Sequence, residues 1–171
     1  IARTRTFPRS TARPDRLDFR DLPYRPPARA LPPRHSDERT FADEIPRYLA
    51  ADLVRDQGDE GACTGFGLAA VVQYLFWQRG RLSAGTLLSA RMLYHLARFY
   101  DEWPGEKYDG SSCRGALKGW HKHGVCTEAL WPYDPARFVA PTPGWDVDAV
   151  TRPLGVYYRI DRRSVVDMQA A

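Results

Sequence analysis

Val54-Arg55-Asp56-Gln57-Gly58-Asp59-Glu60-Gly61-Ala62-Cys63-Thr64-Gly65-Phe66 places one side-chain amide six residues ahead of one cysteine, with two glycines between them. Beyond it, Leu68, Val71, Val72, Leu75 and Phe76 recur at helical spacing, which predicts an amphipathic helix beginning near Cys63 and stopping at Arg79-Gly80. A helix N-terminus carries unpaired N–H groups and the positive end of the helix dipole, so it favours a thiolate. The glycines let the preceding loop turn tightly and bring the Gln57 amide back beside the sulfur. An activated thiol next to a fixed N–H donor is the front half of an acyl-transfer site.

Downstream, Leu88-Ser89-Ala90-Arg91-Met92-Leu93-Tyr94 predicts a second helix capped by Ser89, with Met92, Leu93, Leu96, Ala97 and Tyr100 along it. Asp109-Gly110-Ser111-Ser112 leads into a third helix, capped by Ser111 or Ser112, with an apolar face of Cys113, Ala116, Leu117 and Trp120. Gly124 ends it. Phe41 to Val54 reads as a short mixed stretch, Pro132 to Pro153 as a long ordered loop, and Gly155 to Ile160 as a strand before a final helical turn.

Gln57-Gly58-x-x-Gly61-x-Cys63 resembles the nucleophile loop of the papain-like (C1) cysteine peptidases. The Leu88–Tyr94 helix start, the Asp109–Ser112 run and Glu128-Ala129-Leu130-Trp131-Pro132-Tyr133-Asp134 follow in that family's order. The resemblance runs from about Leu31 to the chain end. It implies an α+β papain-like fold, seen mainly in its helical left-hand domain, within residues 31–171. It makes Cys63 the nucleophile and Gln57 the oxyanion donor, and gives Gly61, Gly110 and Ser111 to the substrate backbone. Two departures, Glu60 where the family has a second cysteine and Thr64 where it has an aromatic, suggest a divergent, bacterial-type branch. Asp59 and Glu60 also put two carboxylates near the thiol, and their field opposes the dipole unless they point away from it.

The family's histidine and asparagine lie roughly 130–150 residues beyond the cysteine, past Ala171. The resemblance therefore implies a nucleophile-bearing half, its base supplied by a downstream segment or a second chain. The competing reading is a peptide-binding or scaffold module of the same descent without chemistry. Of the four histidines, His35, His95, His121 and His123, none stands at the family position of the base. All read as surface or helix-end residues, with His95 the one whose distance from Cys63 matters. Exposed apolar surface is expected where the family's second half would pack.

The net charge of +4 belongs to one end of the chain. Residues 1–40 hold ten arginines against five acids and seven of the fourteen prolines; the remainder holds fifteen cations against sixteen acids. This composition predicts an extended leader or propeptide-like strap over residues 1–30, packed on the domain by Phe19, Leu22 and Tyr24. The arginines carry no interleaved aromatic pattern, so no nucleic-acid partner is expected. No apolar run approaches the ~20 residues of a membrane span. Cys113 and Cys126 read as buried apolar thiols, and few cysteines suit a reducing, cytoplasmic setting. His121 and His123 would point about 200° apart on a helix, which argues against a zinc site with the two cysteines. No cofactor is expected, and the partner is a peptide or protein substrate.

Overall fold

The computed structural model describes residues 18–26, 38–83, 85–101 and 109–171. Its elements are α1 (Glu38–Ala50), α2 (Cys63–Gln78), α3 (Ala90–Phe99), α4 (Cys113–His123), α5 (Trp145–Ala149) and α6 (Val165–Ala170). Among these residues β structure amounts to two isolated bridges, Pro23 with Arg159 in parallel and Leu88 with Thr127 antiparallel. The strand expected over Gly155–Ile160 is thus reduced to one bridge, because a single extended neighbour, residues 22–24, lies beside it.

Three helices make the core. α2 and α4 both pack on α3, at separations set by small residues: a Cβ on Gly65 would lie 2.5 Å from Tyr94 Cβ, and one on Gly119 would lie 2.6 Å from Leu96 Cβ. That approach turns α2 away from the predicted face. Phe66, Ala69, Val72 and Phe76 are buried, whereas Val71 stands 55% exposed and Leu68 and Leu75 lie half-buried on the flanks. Leu88, Ala90, Leu93, Tyr94, Trp120 and Val125 complete this cluster, and a second one gathers Met92, Leu96, Cys126, Trp131 and Ala149. Burial of such side chains is worth about 1.5–3 kcal/mol each before entropy is counted.

The caps follow local chemistry. Ser89 Oγ accepts from Met92 N (2.9 Å) and Ser112 Oγ from Gly115 N (3.0 Å), each satisfying a donor with no intrahelical acceptor. Where the sequence reads as a mixed stretch, α1 forms despite Pro46 inside it. Tyr48 of α1 meets Tyr74 and Trp77 edge-on, both at 5.7 Å, and Glu44 accepts from the Tyr74 hydroxyl. Cys126 is buried as expected; Cys113 is exposed, since the first turn of α4 presents Arg114 inward instead.

Residues 18–26 lie along α4 and the closing segment. Tyr24 N donates to Arg159 O (2.9 Å), Arg159 N to Leu22 O (2.8 Å) and Tyr24 Oη to Ala170 O (2.7 Å). Asp21 pairs with both Arg114 and Arg159. The expected apolar packing by Phe19 and Leu22 is not made: they are 94% and 55% exposed, and polar contacts hold the segment. Residues 1–17 and 27–37, which include His35 and the proposed boundary at residue 30, lie outside the described residues.

Candidate active site

Cys63 is the first residue of α2, with Ala62 at the cap, and the first intrahelical bond runs from Phe66 N to Ala62 O (3.0 Å). The partly buried thiol therefore sits at the positive end of a 16-residue helix. The loop before it is tightly wound. Gly58 has φ +62° and donates to Asp56 Oδ1 (2.9 Å), while Ala62 N donates to Glu60 O (2.7 Å). Gln57 turns back along this loop, and Nε2 donates one hydrogen to Glu60 O (2.9 Å). An amide nitrogen carries two hydrogens, so a second remains for another acceptor.

Gly61 and Gly110 are required by close approach and backbone angle. A Cβ on Gly61 would lie 2.6 Å from Asp109 O, and Gly110 has φ +148°, a region side chains rarely adopt. The Cys63 loop and the Asp109–Ser111 segment thus run side by side. Thr64 Oγ1 and Ser111 Oγ, both buried, hydrogen-bond across the same seam. Gln57, Gly61, Cys63, Gly110 and Ser111 therefore belong to two segments in contact, one on each side of this seam.

Four residues that sequence reasoning did not single out brace the site. Arg91, 5% exposed on α3, gives Nη1 and Nη2 to the two Glu60 oxygens at 2.8 and 2.7 Å and reaches Asp134 O at 3.2 Å. Its guanidinium stacks 4.5 Å from the Tyr133 ring centroid. Burial raises the Glu60 carboxyl, but the Arg91 hydrogen bonds and charge outweigh it and hold the group below its ordinary value. The carboxylate expected to oppose the thiol is therefore neutralised by a cation, and Asp59 is exposed. Tyr133 donates Oη to Gln57 O (2.7 Å); burial, with the Glu60 charge adding to it, pushes its hydroxyl up and keeps it a donor. Arg55 donates to Leu88 O (2.7 Å) and pairs with Glu128 (2.9 Å), whose other oxygen accepts from Tyr133 N (2.6 Å). A buried cation at Arg91, set among the apolar residues of α3, is the one sequence signal that could have marked this bracing.

The histidines are engaged elsewhere. His95 packs against Trp131 and Phe138 at 5.1 and 5.8 Å, and burial followed by the Arg91 and Arg98 charges lowers its pKa. His121 Nδ1 is 2.9 Å from Gly155 O, and His123 Nε2 is 2.7 Å from Tyr100 Oη. The three cysteines form no disulfide. Burial pushes the Cys126 thiol up to about 11. Among the described residues no group of three or more His, Cys, Asp or Glu is placed to hold a metal ion. No described helix is long and apolar enough to cross a membrane.

No protein-family model matches the chain. An uncharacterized peptidase C1-like protein of Acanthamoeba polyphaga mimivirus is 32% identical over 89 residues, 52% of this chain and 28% of that protein. The crystal structure of xylellain, a cysteine protease from Xylella fastidiosa, superposes with a TM-score of 0.69 at 25% identity. It covers 94% of this chain, which spans 61% of that one.

Proposed function

From its papain-like fold, in the mainly helical part, we propose that this chain carries the nucleophile half of a cysteine peptidase. Cys63 Sγ attacks the carbonyl carbon of a peptide bond, and the carbonyl oxygen takes the negative charge. The second hydrogen of Gln57 Nε2 and the Cys63 N–H hold that oxyanion, an effect worth about 3–4 kcal/mol per donor. Collapse breaks the C–N bond, the amine leaves with a proton, and water then hydrolyses the Cys63 thioester. Gly61, Gly110 and Ser111 border the extended substrate backbone. The proton is handled by a histidine from a downstream segment or a second chain, oriented by an asparagine.

The observation that carries this reading is the place of Cys63 at the first residue of α2, beside a loop that turns Gln57 back on itself. The test is labelling with iodoacetamide, followed by peptide mapping, with Cys63→Ser as control. Preferential modification of Cys63 over the exposed Cys113 supports the nucleophile. Equal rates sink it. One observation favours the other reading, a peptide-binding module without chemistry: the Gln57 amide already bonds Glu60 O. Slow labelling of Cys63 together with saturable peptide binding would establish that reading instead.

A further inference from the structure

Gln57 is held at both of its ends, and the two holds converge on Arg91. Its backbone oxygen accepts from Tyr133 Oη (2.7 Å), and its side-chain Nε2 donates to Glu60 O (2.9 Å). Glu60 O also accepts from Ala62 N (2.7 Å), so both lone pairs of that carbonyl are taken. Arg91 secures both holders. It clasps the Glu60 carboxylate through Nη1 and Nη2 at 2.8 and 2.7 Å, and its guanidinium lies 4.5 Å from the Tyr133 ring centroid.

A primary amide is planar, so its two N–H bonds keep a fixed angle and anchoring one aims the other. The bond to Glu60 O thus sets the direction of the second Gln57 hydrogen rather than consuming the donor. That direction is only as steady as the Glu60 carbonyl. A two-pronged arginine–carboxylate contact fixes orientation as well as distance, which a lysine contact does not. Glu60 stands where the papain-like family has a second cysteine, and the three cysteines here form no disulfide. In this chain the tie at that position is ionic.

Resting on the reading of Cys63 as nucleophile and Gln57 as oxyanion donor, we infer that Arg91 is a positioning residue. Acting through Glu60 and Tyr133, it aims the Gln57 amide at the place where the oxyanion forms, without touching substrate itself.

The test compares two reactions of Cys63 in the full chain, each mapped by mass spectrometry. With p-nitrophenyl acetate, Sγ attacks the acetyl carbon, the carbonyl oxygen becomes an oxyanion, and its collapse expels p-nitrophenolate and leaves an acetyl thioester. With iodoacetamide, Sγ displaces iodide from carbon and no oxyanion forms. Thiolate content enters both rates alike, so their ratio reads the oxyanion donors. Gln57→Ala should lower that ratio about tenfold or more. Arg91→Lys, which keeps the charge but loses the two-pronged grip, should lower it about fivefold. Tyr133→Phe, which removes one hydroxyl and keeps the stacked ring, should do the same. Added to Gln57→Ala, either change should alter the ratio by less than about twofold. An unchanged ratio in Arg91→Lys, or an equal fall with and without Gln57, would overturn the inference while leaving the oxyanion donor in place. Circular dichroism checks folding. If Arg91→Lys does not fold, Glu60→Gln weakens the same pair from its more exposed side and takes its place. If Gln57→Ala leaves the ratio unchanged, the oxyanion reading fails. If Cys63 reacts with iodoacetamide no faster than Cys113, the nucleophile reading fails. The positioning role falls with either.

Discussion

The two ends of the α2–α4 core are held in opposite ways. At the Cys63 end, part-buried polar ties join a close helix contact: Arg91 clasps Glu60, Tyr133 reaches Gln57, and Gly65 lets α2 touch α3. At the other end, residues 18–26 and 155–171 are held by Asp21 between two arginines, while Phe19, Val156, Tyr158 and Val165 face outward. One end combines its polar ties with close helix packing. The other rests on an ion pair that is at least as buried, Arg114 with Asp21 at 4% and 11% side-chain exposure against 6% and 26% for Arg91 with Glu60, but with its apolar side chains turned outward. The proposed role of Gln57 as an oxyanion donor calls for the first kind of support.

The contrast predicts a ranking of damage. Arg91→Met should be the most harmful, at about 3 kcal/mol, because it strands the partly buried Glu60 carboxylate and removes the guanidinium stacked on Tyr133. Urea denaturation measures it, and Glu60→Leu added to Arg91→Met should recover most of the loss. A cost under about 1 kcal/mol would mean that the pair behaves as a surface one. Gly65→Ala should cost about 2–3 kcal/mol, since the new methyl would meet the Tyr94 backbone and α2 must move.

At the other end, Asp21→Asn should cost about 1–2 kcal/mol and act locally. Hydrogen exchange would quicken at the Tyr24 and Arg159 amides and stay slow through α3. Equal loss of protection in both regions would show that they form one cooperative unit. The same carboxylate sets an acid limit. Burial raises Asp21, but hydrogen bonds from Arg114 and Arg159 outweigh it and lower the folded value. Its stabilisation is complete above the ordinary value of 3.8 and disappears as pH falls through the lowered one. Asp21→Asn should therefore flatten acid unfolding below pH 3.8. Cys126 sets the alkaline counterpart: with its folded value near 11 and an ordinary one of 9.0, stability is lost as pH rises from 9.0 through 11. Cys126→Ala should make that loss shallower. Phe19→Ala, at a 94% exposed position, should change stability by less than about 0.5 kcal/mol.

The parts legible in the sequence are those decided by neighbours in the chain. Cys63 at the helix start, the stop at Arg79-Gly80, and the Ser89 and Ser112 caps all rest on contacts within four residues. What the sequence hid depends on distant partners. α1 has apolar residues at helical spacing, Phe41, Ile45, Tyr48 and Leu49, but the stretch is short and contains Pro46; Tyr48 of α1 packs against the Tyr74 and Trp77 rings of α2. Val71 fits a helical stripe, but close packing at Gly65 turns a different face inward. Of the candidate site, Cys63, Gln57, Gly61, Gly110 and Ser111 were readable from motif order, and the structure sets their two segments in contact. The pairing of Glu60 with Arg91 was not, because an ion pair between distant residues leaves no periodic trace.

Arg55 makes the ties around the Cys63 loop interdependent. It grips the start of α3 at Leu88 O, the Glu128 carboxylate and, 5.1 Å from its centroid, the Phe66 ring. Glu128 in turn holds Tyr133, which holds Gln57. Divergence along this lineage is therefore constrained in pairs: a neutral residue at position 55 strands Glu128, and a change at 128 loosens a loop far off in sequence. Homologues that have drifted at one of these positions should carry a compensating change at the other, so the covariation of positions 55 and 128 would mark the inheritance of the loop more faithfully than Cys63 alone.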